Sequence, residues 1–258
     1  MCTLVILRSP GQDWPVLLAA NRDEMADRPW LGPARHWPDR PDLVAGLDSL
    51  AGGSWLGLND SGVVAAILNR SGTLGPSEGR RSRGEPVLEA LDHADAKAAA
   101  SALRHLNPRA YRPFNLVVAD ERDAFCLYHR DPEGRQPIEL IRLPEGLSMI
   151  TAFDRNDPAD PRIRQALPRF ERAARPDPAR GDWHDWQALL ASRTPAPDSG
   201  PGSGPGSALC FSTAGGFGTG SGALIALPTR ERVNALRPVW LFAAGPPDCT
   251  PWQSVDIS

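Results

Sequence analysis

The sequence predicts an α+β fold in which strands and helices form separate layers of one domain. The chain has 258 residues, which is enough for a single large domain of several layers. The predicted elements come in groups along the chain: strands, helices, strands, helices and strands again. That grouping favours α+β layers over alternating βαβ units. The sequence contains no repeat with a period of about 20 to 50 residues, so a solenoid is not predicted.

The first part of the chain is predicted to form short strands joined by turns. The segments Arg28–Pro41 and Gly75–Gly84 are rich in Pro, Trp, Gly or Arg and are predicted to be loops. Asn59–Gly62 is a strong turn signal between two apolar runs. The predicted strands in this part are Thr3–Arg8, Pro15–Ala20, Gly53–Leu58 and Val63–Asn69.

The rest of the chain is predicted to alternate between groups of helices and groups of strands. Thr194–Ser207 is a low-complexity Gly/Pro/Ser stretch, predicted to be a flexible loop within one domain spanning residues 1–258. The predicted helices are Glu85–Leu91, Asp95–Leu106, Pro161–Ala174 and Trp183–Ser192. The predicted strands are Phe114–Ala119, Ala124–His129, Pro137–Leu143, Leu147–Thr151, Ala208–Ser212, Gly222–Leu227 and Val239–Ala244.

Composition and charge argue against several classes of function. The formal net charge of −3 at pH 7 is not that of a general nucleic-acid binder. No stretch approaches the ~18 apolar residues of a membrane span. The apolar run at the start is too short for a signal peptide, and no basic segment precedes it. We therefore expect a cytoplasmic protein that does not insert into membranes and does not bind nucleic acid.

The four cysteines and five histidines do not form a metal-binding pattern. The cysteines contain no C-x-x-C pair, and the histidines contain no H-x-x-x-H or H-x-H pair. A disulfide framework and a metal site are therefore not predicted. Cys126 and Cys210 lie inside apolar runs and are predicted to be small buried hydrophobic residues.

Cys2 differs from the other cysteines by its position in the chain. It becomes the first residue once the initiator Met is removed, and that removal is expected before a small second residue. A mature N-terminal Cys carries a nucleophilic thiol beside an α-amine whose pKa of about 7.7–8.0 lets it act as a base near neutral pH. The alternative is that a Cys occupies the second position without any functional consequence.

Two further polar groups are candidates for a site around Cys2. Asn21–Glu24 follows the second predicted strand, and a hairpin of this length returns it to the chain start. Asp23 could then accept a hydrogen bond from Cys2, and Arg22 could hold a substrate carboxylate or pair with a neighbouring acid. Asn69 ends a strand and could donate to a developing oxyanion. The alternatives are a solvated polar turn at Asn21–Glu24 and a turn-forming role for Asn69.

A Gly-rich segment near the C-terminus is not predicted to bind phosphate. Gly216–Ala223 resembles a phosphate-binding loop in its glycine content. It leads into a strand-like apolar run and not into a helix N-terminus, where phosphate loops hold their anion. Gly52–Gly57 is likewise not a nucleophile elbow, because its glycines do not flank Ser54 at the required spacing.

Eight short segments occur together and in order along roughly residues 1 to 227. They are Met1-Cys2, Leu18–Glu24, Gly52–Gly57, Gly62–Arg70, Arg83-Gly84, Phe114–Asp120, Gly146–Ser148 and Phe217–Thr219. Any one segment is weak, but the ordered set is specific. It resembles the NRDE-motif family, also called the transport and Golgi organisation protein 2 family.

That family looks like the cysteine N-terminal-nucleophile hydrolases, which include bile-salt hydrolase, penicillin V acylase and acid ceramidase. The resemblance implies a four-layer αββα sandwich and an N-terminal Cys that attacks a non-peptide amide or an acyl thioester without a cofactor. By position it assigns the nucleophile to Cys2, its orientation to Asp23 and an oxyanion contact to Asn69. The candidate substrate-binding residues are Asn21, Arg22, Trp55 and Met149.

Two positions depart from the family's pattern, and they favour an alternative function. Relatives often carry Asn where this chain has Met149, and Arg where it has Gly220. A pocket that has lost these polar groups suits an apolar ligand better. The alternative is therefore a non-catalytic protein that holds haem or an acyl ligand in the same cleft, walled by Trp30, Trp37 and Trp55. The family is also linked to haem handling and to lipid metabolism.

Overall fold

A computed structural model describes residues 2–75, 77–197, 205–230 and 236–257. It contains two antiparallel sheets and few helices, so the predicted α+β class is confirmed at that level. The chain divides into two compact units. The first comprises Met1–Arg28 and Glu145–Val255, and the second comprises Pro29–Pro144 and Asp256–Ser258. The assignment of residues 1–258 to one domain stays a prediction.

The strands and helices are numbered in chain order. The strands are β1 (Thr3–Arg8), β2 (Val16–Met25), β3 (Trp30–Ala34), β4 (Leu43–Asp48), β5 (Leu56–Asn59), β6 (Val64–Asn69), β7 (Phe114–Ala119), β8 (Ala124–His129), β9 (Glu139–Arg142), β10 (Gly146–Ile150), β11 (Phe217–Leu227), β12 (Val239–Ala243) and β13 (Gln253–Ser254). The α-helices are α1 (Glu85–Leu91), α2 (Ala96–Leu103), α3 (Pro161–Arg172) and α4 (His184–Leu190).

The first unit is built on a six-stranded sheet in the order β10-β1-β2-β11-β12-β13. Because side chains alternate between the two faces of a strand, one face of this sheet carries Val5, Leu17, Met149 and Leu224. These residues pack into one apolar core with α3 and α4, which supply Ile163, Phe170, Trp186 and Leu190. We call this side of the first sheet its helix face.

The second unit is built on a seven-stranded sheet in the order β3-β4-β5-β6-β7-β8-β9. The apolar faces of α1 and α2 pack with β6, β7 and β8 in a core that includes Val87, Leu91, Leu103, Leu116 and Leu127. Asp95 caps α2, because its side chain accepts a hydrogen bond from the Ala98 amide.

Two glycines of the second unit are required by a close backbone contact. A Cβ atom at Gly53 would lie 2.6 Å from the Gly84 carbonyl carbon, and one at Gly84 would lie 2.8 Å from the Ser54 nitrogen. The Ser54 amide donates to the Gly84 carbonyl at 3.1 Å. The motif segments Gly52–Gly57 and Arg83-Gly84 are therefore one structural feature, in which two backbones touch.

The structure corrects three sequence predictions and adds one strand, β4, in a segment for which no element was predicted. β2 continues to Met25 and not to Ala20, because β11 begins already at Phe217 and pairs with it along this extension. β3 and β4 form where a loop and an unassigned segment were expected. Ala208–Ser212 is not a strand and contributes one isolated bridge, from Ser212 to Gly218.

The predicted flexible loop at Thr194–Ser207 is only partly covered by the structure. Residues 198–204 lie outside the described residues, and Pro205–Ser207 form a 3-10 turn. Within the described ranges no helix combines the length and the apolar character needed to cross a membrane.

Candidate functional site

The segment Asn21–Glu24 lies inside β2, not in a turn after it. β11 pairs with this part of β2, so that Thr219 stands opposite Asp23. The register shifts between Thr219 and Ser221, which leaves Gly220 as a bulge. Strand alternation places the side chains of Asn21 and Asp23 on the helix face, and that of Arg22 on the opposite face.

Cys2 immediately precedes β1 and contacts the backbone of Asp23. The Asp23 amide donates to the Cys2 Sγ at 3.4 Å, and the thiol donates to the Asp23 carbonyl at 3.6 Å. The residue is partly exposed and its thiol is free. Cys2 and the β2 tetrapeptide are therefore brought together, but the contact runs through the peptide backbone and not through the Asp23 carboxylate.

The environment of Cys2 keeps its thiol protonated at neutral pH. Desolvation by burial raises the pKa of the Cys2 thiol above 9.0, and the negative charge of Asp23 raises it further. The Asp23 amide and the charge of Arg22 act in the opposite direction. Because the thiolate is the nucleophilic form, a reaction at Cys2 near neutral pH needs a base to take the thiol proton.

The Asp23 carboxylate is buried and held from two sides. Its Oδ2 accepts a hydrogen bond from Arg162 Nη1 at 2.9 Å, and its Oδ1 accepts one from Thr219 Oγ1 at 2.8 Å. The Asp23 side chain has no exposed surface, and that of Arg162 is 1% exposed. This is a buried, hydrogen-bonded ion pair between β2 and α3, and it fixes the carboxylate rotamer.

Arg162 is the second residue of α3, and its guanidinium connects several segments of the first unit. Nη1 also donates to Thr3 Oγ1 at 2.8 Å, and Nη2 donates to the Gly206 carbonyl at 2.6 Å. Its Cζ lies 5.3 Å from the centre of the Phe211 ring, within the range of a cation–π contact. The Arg162 side chain thus joins α3 to Thr3 in β1, to Asp23 in β2 and to the segment before β11.

Arg22 lies on the opposite face from Asp23 and forms a small charge network. Its Nη2 is 3.8 Å from Glu24 Oε2, and the same oxygen is 3.8 Å from Arg28 Nε. Arg22 is nearly buried, whereas Glu24 and Arg28 are each 23% exposed. The predicted pairing of Arg22 with a neighbouring acid is present, and its contact with a substrate stays a prediction.

Asn21 and Met149 were expected to bind substrate, but both side chains point to the helix face. Asn21 Nδ2 donates to the carbonyls of Leu190 and Leu209, each at 2.9 Å, which ties β2 to the end of α4. Met149 stands opposite Val5 and is completely buried in the apolar core. Cys2 precedes Thr3 by one residue and therefore belongs to the other face, so neither side chain lines the Cys2 side of the sheet.

Gly220 occupies the bulge in β11 beside Arg22. A Cβ atom at this position would meet only the Arg22 carbonyl, at 3.9 Å. The backbone there leaves room for a side chain, so the fold does not require glycine at this position.

Asn69 and Trp55 belong to the second unit. Asn69 ends β6 opposite Phe114 and is partly buried. Trp55 packs edge-to-face on Trp30 with ring centroids 5.7 Å apart, and its ring lies where a Cβ atom of Gly46 would be. The roles of Asn69 and Trp55 at Cys2 stay predictions.

Arg162 and Thr3 were not predicted from the sequence, and Thr219 was part of a motif without a role of its own. Arg162 follows Asp160 and Pro161, an N-cap and first residue typical of any helix start, so nothing in the local sequence indicates a buried charge. Arg162 could have been sought from Asp23, because a buried carboxylate needs a cationic partner.

The arrangement brings a thiol, a backbone donor and a fixed carboxylate together. The described residues include no group of three or more His, Cys, Asp or Glu side chains that could hold a metal ion. They do place a thiol against a backbone N–H donor, with a fixed carboxylate on the same residue as that donor.

The chain matches one family model and several curated proteins. Residues 1–173 match the family model described as Transport and Golgi organisation 2. A Bos taurus protein named Transport and Golgi organization protein 2 homolog is 35% identical over 146 residues, which cover 52% of this chain and 50% of that protein. The chain thus spans about half the length of the curated relatives it matches.

Solved structures of acylases share the fold. A Caenorhabditis elegans N-acylethanolamine-hydrolyzing acid amidase ortholog superposes with a TM-score of 0.55 at 14% identity, covering 92% of this chain and 97% of that one. Penicillin V acylase from Agrobacterium tumefaciens gives a TM-score of 0.52 at 14% identity, with coverages of 100% and 88%. These likenesses show that the chain shares its fold with these two enzymes. Because the family model matches well over half of its residues, the chain belongs to the Transport and Golgi organisation 2 family.

Proposed function

We propose that this protein is a cysteine hydrolase in which Cys2 attacks the carbonyl carbon of a non-peptide amide or an acyl thioester. The observation that carries the proposal is the contact between the Cys2 sulfur and the backbone amide and carbonyl of Asp23. The carboxylate of the same Asp23 is held in place by hydrogen bonds from Arg162 and Thr219. A nucleophile is useful only when its position is fixed relative to the groups that serve it.

The reaction has two steps. Removal of the initiator Met leaves Cys2 with a free α-amine, which takes the thiol proton as sulfur bonds to the substrate carbonyl. The C–N bond of the amide, or the C–S bond of the thioester, then breaks, and the leaving group takes that proton. Water attacks the resulting acyl-Cys2 thioester, which releases a carboxylic acid and restores the thiol.

The raised pKa of the Cys2 thiol supports a mechanism with an adjacent base. A thiol that stays protonated at pH 7 is a weak nucleophile until a base removes its proton during attack. The α-amine of the same residue is a base with a pKa of about 7.7–8.0, close to the working pH. The Asp23 amide, 3.4 Å from Sγ, stabilises the thiolate as it forms.

The proposal includes the finer expectations drawn from the family resemblance. Asn69 donates to the oxyanion, Arg22 contacts a substrate carboxylate, and Trp55 contacts the acyl group, within a four-layer αββα arrangement. The acyl amide substrate class follows the names of the structural neighbours, an N-acylethanolamine-hydrolyzing amidase and a penicillin V acylase. A cytoplasmic location is also part of the proposal.

The test is turnover of an acyl amide and acyl thioester panel by the wild type and two single-cysteine variants. Cys2→Ala removes the proposed nucleophile, whereas Cys249→Ala removes an exposed thiol and serves as the matched control. We expect Cys2→Ala to lose at least about 10³-fold in kcat, as removal of a nucleophile does in other hydrolases. Turnover that survives in Cys2→Ala, or that disappears in Cys249→Ala, contradicts the proposal.

A second candidate function is non-catalytic binding of haem or an acyl chain. The observation that favours it is exposed apolar surface in the second unit, where Leu31 is 52% and Leu50 is 68% exposed. Haem iron needs an axial ligand, and His36 lies in this region beside Trp37, with ring centroids 5.7 Å apart. Its Nε2 is within 2.8 Å of the Gly32 carbonyl, so its Nδ1 is the atom that would meet iron.

Titration with haem, followed by absorbance, tests this second candidate. Binding at one site gives a saturating curve, and His36→Ala then changes the Soret band. A linear response without saturation contradicts haem binding, and a saturating curve unchanged in His36→Ala contradicts His36 as the ligand.

A further inference from the structure

The first unit contains a buried guanidinium, that of Arg162, close to the Cys2 region, and its presence is not yet explained. Arg162 is 1% exposed, and its guanidinium donates to Asp23, Thr3 and the Gly206 carbonyl. Burying a charge is costly unless it is paired and hydrogen-bonded, and a pair of apolar side chains would fill the same space at least as well. An ion pair in this place therefore calls for an explanation beyond packing.

The position of the pair supplies that explanation. Asp23 contacts the Cys2 sulfur with its backbone amide and carbonyl, while its carboxylate contacts Arg162 and Thr219. A carboxylate fixed at both oxygens fixes the peptide to which it belongs. Arg162 also donates to Thr3, the residue that follows Cys2, so one guanidinium restrains the chain on both sides of the sulfur.

We infer that Arg162 is a positioning residue for Cys2: it neutralises Asp23 and, through the Asp23 peptide and Thr3, holds the sulfur in place. This inference rests on the proposed function for its catalytic meaning, but its geometry does not depend on turnover. Arg162 does not touch the sulfur, and it acts through Asp23.

Several charged groups act on the Cys2 sulfur, and Arg162 balances one of them. Asp23 disfavours the thiolate, whereas Arg22 and the chain's α-amine favour it. The β11 residues that pair with Asp23 and Arg22 are Thr219 and Ser221, which carry no charge. Glu24 is paired with Arg22 and Arg28. If Arg162 is removed, its charge no longer offsets that of Asp23, and the thiolate becomes harder to form.

The pH dependence of Cys2 alkylation tests the inference without a substrate. Iodoacetamide reacts with the thiolate, so the rate reports the thiolate population. Below the midpoint, a thiol pKa that is higher by about 1 lowers the rate about tenfold. All variants carry Cys249→Ala, which removes the exposed competing thiol. Labelling at residue 2 is quantified by peptide mapping from about pH 6 to about pH 11, a range that brackets the titration of a thiol.

The variants form a cycle around the ion pair. Arg162→Met moves the alkylation midpoint to higher pH and slows alkylation at pH 8 by about tenfold, and Arg162→Lys restores most of the rate because it restores the charge. In an Asp23→Asn background, Arg162→Met produces no further shift, because no charge remains to be balanced. Arg164→Met is the matched control, since Arg164 is an exposed residue of the same helix.

The outcomes separate this inference from the proposed function. An unchanged midpoint in Arg162→Met, or an equal shift in the Asp23→Asn background, overturns the positioning role. If Arg162→Met does not fold, Arg162→Gln takes its place, because it also removes the charge, and an unchanged midpoint in that variant likewise overturns the positioning role. When the wild type turns over substrate, Arg162→Lys lowers kcat with little change in KM. A wild type without turnover but with the predicted alkylation cycle sinks the proposed hydrolase and leaves the positioning role standing.

Discussion

The Asp23 cluster of the first unit and several polar residues of the second unit bond to different kinds of partner. In the first unit, Asp23 and Thr219 bond to each other and Asp23 bonds to Arg162, so side chain meets side chain and a charge is buried. In the second unit, several polar side chains in and beside the motif segments bond to backbone atoms. Asn59, in the turn between two motif segments, donates to the carbonyls of Leu91 and His93, at 2.7 and 2.8 Å.

Two motif residues of the second unit follow the same pattern. Asp120 accepts hydrogen bonds from the amides of Ala96, Arg122 and Asp123, each at 2.8 Å. Arg83 donates to the carbonyls of Thr73, Pro113 and Gly75. These bonds satisfy backbone groups at helix ends and turns, which is the work of a scaffold.

The comparison separates two reasons for which a motif exists. A residue that satisfies backbone groups maintains the fold of its own unit. A buried ion pair gains little stability over apolar packing, so its presence beside a thiol indicates a role in positioning. The backbone contacts of Asp120 and Arg83 therefore do not by themselves indicate chemistry, whereas the Asp23–Arg162 pair beside Cys2 does.

The largest loss of stability is expected at the Asp23–Arg162 pair. Asp23→Asn removes the carboxylate charge that pairs with the buried Arg162 guanidinium, and we expect a loss of about 3–5 kcal/mol in the free energy of unfolding. Urea denaturation of the full chain measures it. The matched control is Asp123→Asn, which removes the partner of Arg142 in a pair that is 64% and 23% exposed. That change costs at most about 1 kcal/mol.

The two losses would be equal if the Asp23–Arg162 pair contributed no more to stability than a surface ion pair. Equal losses in Asp23→Asn and Asp123→Asn contradict the view that the Asp23 charge depends on Arg162.

A smaller effect is expected at the scaffold contact of the second unit. Gly53→Ala places a Cβ atom 2.6 Å from the Gly84 backbone, and such overpacking typically costs about 1–3 kcal/mol. Thermal denaturation compares it with Gly215→Ala, whose Cβ atom has no neighbour within 4 Å. Turnover per folded molecule stays unchanged in Gly53→Ala. A large loss of kcat in well-folded Gly53→Ala protein means that this contact serves the chemistry as well.

The smallest expected change is in the pH dependence of the stability that Cys2 contributes. The pKa of the Cys2 thiol is raised on folding, so the folded state holds the thiol proton more tightly than the unfolded state. This contribution is fully present below the unfolded pKa near 9 and is lost as the pH rises through the folded pKa. We expect the stability difference between wild type and Cys2→Ala to shrink above about pH 9.

Urea denaturation at several pH values measures that difference. Cys210 also titrates late, because desolvation by burial and its hydrogen bond to Asp248 raise its pKa to about 12. Both proteins contain Cys210, so its contribution cancels. A difference that grows above about pH 9 contradicts a raised thiol pKa at residue 2.

Features that depend on local sequence were predictable, whereas features that depend on contacts between distant parts of the chain were not. Local apolar runs and turn signals predicted most elements, including β1, β6, β7 and β8. The extension of β2 to Met25 depends on pairing with β11, almost two hundred residues later, so the local sequence could not show it. The length of the first hairpin predicted that Asp23 returns to Cys2, whereas the burial of Met149 in the apolar core depends on its register with β1, which the local sequence does not show.

Arg162 marks the limit of that prediction. Its helix start looks ordinary, and its partner Asp23 lies 139 residues away in the chain. Only the folded arrangement shows that a guanidinium from α3 meets a carboxylate from β2. Buried charges of this kind become visible when the partner required by one motif residue is sought in the structure.

The most direct measurement is intact mass followed by peptide mapping, after incubation with an activated acyl thioester and rapid acid quenching. The account predicts a chain that has lost its initiator Met and carries one acyl group at residue 2, with no adduct in Cys2→Ala. A chain that retains Met1, or that carries the acyl group at Cys249 with residue 2 unmodified, contradicts it.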